Sequence, residues 1–159
     1  MSDLWATPQG LFDKLNTEFQ FTLDVCALPE NAKCDRFFSP DIDGLSMSWN
    51  TNHGCHNESV WMNPPYGREI KKWMKKAYET SARGVRVVAL IPNRSNAPWW
   101  HEYVMKAREI RFVKHKVSFE GDAEGVPFWG SVIVVFGPGI THHAPSVSTY
   151  LQPKHEEAA

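Results

Sequence analysis

Ser59-Val60-Trp61-Met62-Asn63-Pro64-Pro65-Tyr66-Gly67 reads as a short apolar strand that runs into a proline-locked turn. The residues after it decide its surroundings. Positions 69–82 form the best helix in the chain, with Ile70, Trp73, Met74 and Ala77 on one stripe and Lys71, Lys72, Lys75 and Lys76 on the other side. Gly84 stops that helix. Positions 85–91 are then a near-continuous apolar run ending at Pro92, the pattern of a parallel strand buried on both faces.

Upstream, Thr7-Pro8 predicts an N-cap and a first helical proline, opening a helix to about Phe19 with Leu11, Phe12 and Leu15 on one face. Phe21-Thr22-Leu23-Asp24-Val25-Cys26 predicts a strand, and Arg36-Phe37-Phe38-Ser39 a further short one. Downstream, Pro98 opens a helix carrying Trp100, Tyr103, Val104 and Ala107. Positions 110–119 and 129–136 predict two late strands joined by an acidic, Gly-containing segment. Strand and helix alternate through the middle and two strands follow, which predicts an α/β fold: a three-layer, mostly parallel sheet with an antiparallel pair at one edge. One domain is expected over 1–137. From Gly137-Pro138-Gly139 onward, a segment with His, Ser and Pro predicts a peripheral tail over 138–159.

The 159 residues are 42% hydrophobic, enough for a core without disulfide staples and too apolar for disorder. No run of 18 apolar residues exists, and Met1-Ser2-Asp3-Leu4 is neither basic nor apolar, so no membrane span or secretory signal is expected. Three cysteines, Cys26, Cys34 and Cys55, fit reduced thiols in an intracellular protein. The net charge of −1 argues against blanket attraction for nucleic acid, but it hides an asymmetry. Positions 68–116 hold 13 Lys+Arg against 4 Asp+Glu, so one part of the chain can face a polyanion while the rest cannot.

In an open sheet of this type the ligand crevice lies beyond the carboxyl ends of the strands. Asp24-Val25-Cys26-Ala27, Asn63-Pro64-Pro65-Tyr66-Gly67 and Pro92-Asn93-Arg94-Ser95 occupy such positions and bring a carboxylate, an amide, an aromatic ring and a cation. The two prolines fix φ and remove two backbone donors, leaving a rigid, acceptor-rich turn. Asn63 offers its side-chain carbonyl beside the Pro64 carbonyl, so a planar amine can donate both hydrogens to that pair while Tyr66 supplies a flat face. His53, Cys55 and His56 are close together but match no standard zinc spacing, and no metal site is expected. Met62, Met74, Trp73, Trp99 and Trp100 read as core or wall packing.

Asn-Pro-Pro-Tyr resembles the motif of S-adenosylmethionine-dependent amino-methyltransferases, and the wider order is more specific. Trp5-Ala6-Thr7-Pro8 with Leu11-Phe12, the strand ending Asp24-Val25-Cys26-Ala27, Asp43-Gly44-Leu45 with Trp49, Trp61-Met62-Asn63-Pro64-Pro65-Tyr66-Gly67 and Trp99-Trp100 together resemble the small phage-type DNA N6-adenine methyltransferases, the phage Dam family. The resemblance covers about 5–136. It implies a Rossmann-like methyltransferase sheet and methyl transfer from S-adenosylmethionine to adenine N6 in double-stranded DNA, with the base flipped out of the stack. Asn63, Pro64, Pro65 and Tyr66 are then catalytic, and Trp5, Thr7, Pro8, Asp24, Ala27, Asp43 and Asn63 are cofactor neighbours. Cys26-Ala27-Leu28-Pro29 departs from the Gly-rich turn that many methyltransferases carry after the first strand.

Arg68, Arg94, Lys114 and Lys116 are the candidate DNA-phosphate contacts. The loops at 50–59 and 117–128 are long enough to enter a groove. The implied setting is the cytoplasm of a bacterial host, with a phage or prophage gene and a monomer or weak homodimer. The same turn accommodates cytosine N4, RNA adenine or a protein glutamine amide, and a non-catalytic DNA-binding module with an eroded cofactor site is a further reading of the positive segment.

Overall fold

A computed structural model of the chain describes residues 5–50, 58–120, 127 and 129–153. Its elements are α1 (Gln9–Phe19), β1 (Leu23–Asp24), β2 (Ser59–Met62), α2 (Ile70–Ala82), β3 (Arg86–Pro92), α3 (Pro98–Glu102), β4 (Glu109–Val113), β5 (Ser131–Phe136) and β6 (Ser146–Tyr150), with a 3-10 turn at Val104–Lys106. The strands form one sheet in the order β1-β2-β3-β5-β4-β6.

The period of two along each strand divides the interior into two cores. Val87, Ala89 and Ile91 of β3 and Val132, Val134 and Phe136 of β5 meet α2 and α3 through Ile70, Trp73, Met74, Ala77 and Trp100. Val88 and Leu90 of β3 and Ile133 and Val135 of β5 meet Leu11, Phe12, Leu15 and Phe19 of α1 on the opposite face. The expected three layers are therefore present. All of β2 and β5, and all of β3 after Arg86, are buried, which is why their sequences read as apolar runs and not as alternating ones.

Strand directions refine the expectation. β1, β2 and β3 are parallel, and β4 is parallel to β6, while β5 runs antiparallel to both its neighbours, β3 and β4. The antiparallel component is thus one strand inside the sheet, not a pair at its edge. The edge is β6, which lies within the segment expected to be a peripheral tail. Its pattern, Ser146-Val147-Ser148-Thr149-Tyr150, is exposed except at Tyr150, so no apolar run announces it.

Other strands are shorter than their sequences predict. β1 keeps two residues because the chain turns after Asp24, and Arg36-Phe37-Phe38 pairs there as an isolated parallel bridge. Asp24 N–H donates to Arg36 O at 3.0 Å and Phe38 N–H to Asp24 O at 2.9 Å. β4 stops at Val113 because His115 takes a left-handed φ of 65°. The helix opened by Pro98 ends at Glu102 and continues only as the 3-10 turn.

Candidate active site

β1, β2, β3 and β4 point the same way, so the segments leaving Asp24, Met62, Pro92 and Val113 emerge along one edge of the sheet. A cleft of about 300 Å³ opens there. Asn63, Pro64 and Pro65 wall it from the turn, Trp5 and Thr7 from the N-terminal segment, Asp24 and Ala27 from the end of β1, and Asp43 and Gly44 from the stretch before β2.

The Asn63 side chain is held from three directions. Its Nδ2 donates to the Trp5 carbonyl oxygen and to Thr7 Oγ1 at 3.0 Å, and Tyr66 O–H donates to its Oδ1 at 2.9 Å. These partners fix which end of the amide is oxygen. An amide oxygen has two acceptor sites, and Tyr66 takes one, so the other is available to an incoming N–H. The N-terminal segment is itself tied down: Ala6 and Glu120 exchange backbone bonds of 3.1 and 2.9 Å. Thr7, expected to cap α1, makes no such bond, and its hydroxyl serves Asn63 instead.

Tyr66 reaches Asn63 through its hydroxyl. The O–H also lies 3.2 Å from Leu90 O, and burial, with a smaller contribution from Cys26, pushes its pKa well above 10, so it remains a donor. Its ring packs edge-on against Phe119 at 6.0 Å and Trp129 at 6.2 Å, outside the cleft wall. Trp5 meets the same two rings at 5.5 and 5.6 Å and does line the cleft. Beside the Asn63 amide there is therefore an aromatic group of Trp5, Tyr66, Phe119 and Trp129.

Asp24 is buried, and burial raises its pKa against the opposing pull of the Lys33 and Cys26 backbone amides. Those amides bind its two oxygens at 3.0 and 3.2 Å, so the carboxylate organises the 25–33 turn. Gly44 allows the next segment to press against the end of β1: a Cβ there would lie 2.4 Å from Val25 O. Asp43 follows suit with φ 56°, and its Oδ1 accepts from Leu45 N–H at 3.2 Å.

A family model described as DNA N-6-adenine-methyltransferase (Dam) matches residues 1–150. The chain belongs to this Dam family. Two relatives are similar to it: the DNA N-6-adenine-methyltransferase of Escherichia phage T1, 28% identical over 136 residues, and that of Haemophilus phage HP1 (strain HP1c1), 27% identical over 146 residues. The alignments cover 85% and 86% of this chain, but 55% of the T1 protein and 79% of the HP1 protein. The chain thus spans about half the length of the first relative. A solved structure of the Type IIL restriction-modification enzyme MmeI in complex with DNA is similar over 87% of this chain and 22% of that one, at TM-score 0.45 and 15% identity.

In this Dam-family chain the expected cofactor neighbours Trp5, Thr7, Asp24, Ala27, Asp43 and Asn63 all line the cleft, whereas Pro8 opens α1 and does not. Arg68, Arg94, Lys114 and Lys116 are exposed at the same edge, with the Arg94 guanidinium 5.6 Å from the Trp129 ring centre. Lys72 pairs with Glu69 at 2.7 Å, Lys75 with Glu79 at 3.9 Å, and Lys76 donates to Leu45 O at 2.7 Å, so these cations are engaged with the helix and its neighbours. Phe119 and Trp129 were not legible as site residues, because only the sheet order brings them to Asn63. Lys33, Glu69 and Leu45 of the cleft wall were likewise missed. His53, Cys55 and His56, and most of the two candidate base-reading loops, lie outside the described residues.

Proposed function

We propose that this chain transfers a methyl group from S-adenosylmethionine to the N6 amino group of adenine in double-stranded DNA, with the target base turned out of the duplex. The observation that carries the reading is the fixed Asn63 amide, which lines a cleft in a chain of the Dam family. The residues present suit the cofactor. Lys33, Asp43 and Glu69 offer both signs of charge for a zwitterionic amino acid, and Phe38, Leu45 and Trp73 an apolar wall for a planar base. When bound, S-adenosylmethionine supplies an electrophilic methyl group on a sulfonium.

The protein's part is orientation and charge stabilisation. The adenine N6 lone pair is delocalised into the ring, and hydrogen bonds from its two N–H groups to Asn63 Oδ1 and the Pro64 carbonyl favour a pyramidal nitrogen. They also stabilise the positive charge that grows on nitrogen as the new N–C bond forms. The extra N–H proton then leaves to solvent. Flipping the base costs on the order of a few kcal/mol, and Trp5, at the cleft wall, offers a ring on which the extruded base can stack.

Arg68, Arg94, Lys114 and Lys116 would meet the DNA backbone around the cleft. Action in the cytoplasm of a phage's bacterial host accords with the phage origin of the relatives, and the chain would act as a monomer or weak homodimer. Among the described residues no helix is long and apolar enough to cross a membrane.

Labelled methyl transfer to unmethylated duplex DNA, followed by nucleoside chromatography, tests the reading. N6-methyladenine is expected, with activity reduced at least 100-fold in Asn63→Ala. Label on cytosine N4, RNA or protein overturns the substrate, and no transfer with no cofactor binding overturns the reaction.

A further inference from the structure

Lys114, His115 and Lys116 form a turn just beyond β4, on the edge that carries the cleft, and all three side chains are exposed. Their backbone is held from beneath. The side-chain Nε2 of Gln152, only 3% exposed, lies 3.1, 3.3 and 3.4 Å from the carbonyl oxygens of Lys114, His115 and Lys116, and Lys114 N–H donates to Tyr150 O at 3.0 Å. Three consecutive carbonyls thus converge on one buried amide, while the positive φ of His115 completes the turn. Val117 and Phe119 are buried on the way out, and Phe119 touches Trp5 and Tyr66, so the turn is joined to the Asn63 wall by a few packed residues.

The two ammonium groups differ from those on α2. Among the described residues neither Lys114 nor Lys116 makes an ion pair, whereas Lys72 and Lys75 are paired within their helix. Cations without an ion pair among the described residues, on a fixed backbone, suit a polyanion, since less chain entropy is lost when it binds.

We propose that the 114–116 turn contacts DNA backbone phosphates beside the cleft, and that Gln152, reached through β6, is the positioning residue that holds it. This rests on the DNA-methylating reading above. The C-terminal strand is thereby part of substrate binding.

Duplex-DNA affinity measured across a salt series, together with KM for DNA and kcat, tests the inference in four proteins: native, Lys114→Ala/Lys116→Ala, Gln152→Met, and the triple variant. The lysine pair is expected to lower the slope of log affinity against log salt by about 2, with the loss falling on KM for DNA more than on kcat. Gln152→Met is expected to weaken binding roughly fivefold in the native background and to have no further effect once both lysines are gone. An unchanged slope in the lysine variant, in a native protein that does methylate DNA, overturns the phosphate contact of this turn and with it the place of Lys114 and Lys116 among the DNA-facing cations, and leaves the methyl-transfer reading standing. An equal loss from Gln152→Met in both backgrounds overturns the role of Gln152, and the lysine pair still decides the turn if that variant does not fold. A native protein that transfers no methyl group to DNA overturns this inference and its parent reading together.

Discussion

The Asn63 amide has no rotational freedom to spare: Trp5 and Thr7 hold its nitrogen and Tyr66 its oxygen. Tyr66→Phe keeps the ring packing and deletes one hydrogen bond, so methyl transfer is expected to fall about 10-fold in kcat with the melting temperature lowered by only a few degrees. Thr7→Val leaves one Asn63 N–H without its acceptor and is expected to lower kcat by a similar factor, with Thr7→Ser restoring it; equal activity in all three proteins would remove Thr7 from the site. The thiols make a separate test. Burial, with a smaller push from Asp24, raises the pKa of Cys26 and Cys34 to about 12 in each case. Only the thiolate reacts with iodoacetamide, so peptide mapping at pH 8 is expected to show both alkylated about a thousandfold more slowly in the native protein than after denaturation.

At the scale of elements, two junctions invite substitution. Gly44→Ala would drive a Cβ against Val25 O at 2.4 Å and the Trp73 ring at 3.1 Å, so the segment must move away from the end of β1. A loss of roughly 1–3 kcal/mol in urea unfolding is expected, together with weaker binding of a cofactor analogue. Arg111 of β4 reaches Glu18 of α1 through two bonds of 2.8 and 2.6 Å, and holds the Glu18 carboxyl below its ordinary value of 4.5. A lowered native pKa means that the pair contributes fully above pH 4.5 and is lost as the pH falls through the native value. Because Glu18 is half exposed, the contribution is less than about 1 kcal/mol. Glu18→Gln should therefore reduce the stability difference between pH 7 and pH 3, and an unaltered difference would show that the pair is inert. Buried surfaces were legible because burial writes itself into composition: β2, β3 and β5, covered on both faces, follow from apolar runs, and α2, covered on one, from a 3.6-residue stripe. β6 was not, since four of its five residues are exposed. The Thr7 hydroxyl was misassigned for a related reason. Its sequence context fits a helix cap, and only the strap formed with Glu120 carries it to Asn63.

For the whole molecule, α1 and the β6 segment are tied together. Tyr150 O–H donates to Leu11 O at 3.2 Å and Lys14 Nζ to Leu151 O at 2.9 Å, so β6 closes the sheet and braces α1 together. Removing residues 138–159, which the sequence pattern marks as a peripheral tail, is expected to lower the melting temperature by more than 10 °C or to leave the protein insoluble; a truncated protein as stable as the full chain would make β6 an ornament of the edge. The position of β5 also sets an order on events. β3 and β4 are not neighbours, and the place between them is filled only by residues 131–136. A nascent chain that has left the ribosome as far as β4 therefore presents the bare, apolar side of β3 with nothing of its own to cover it. Chains stalled there are expected to engage chaperones or to aggregate through that edge, and chains that have released Phe136 are not.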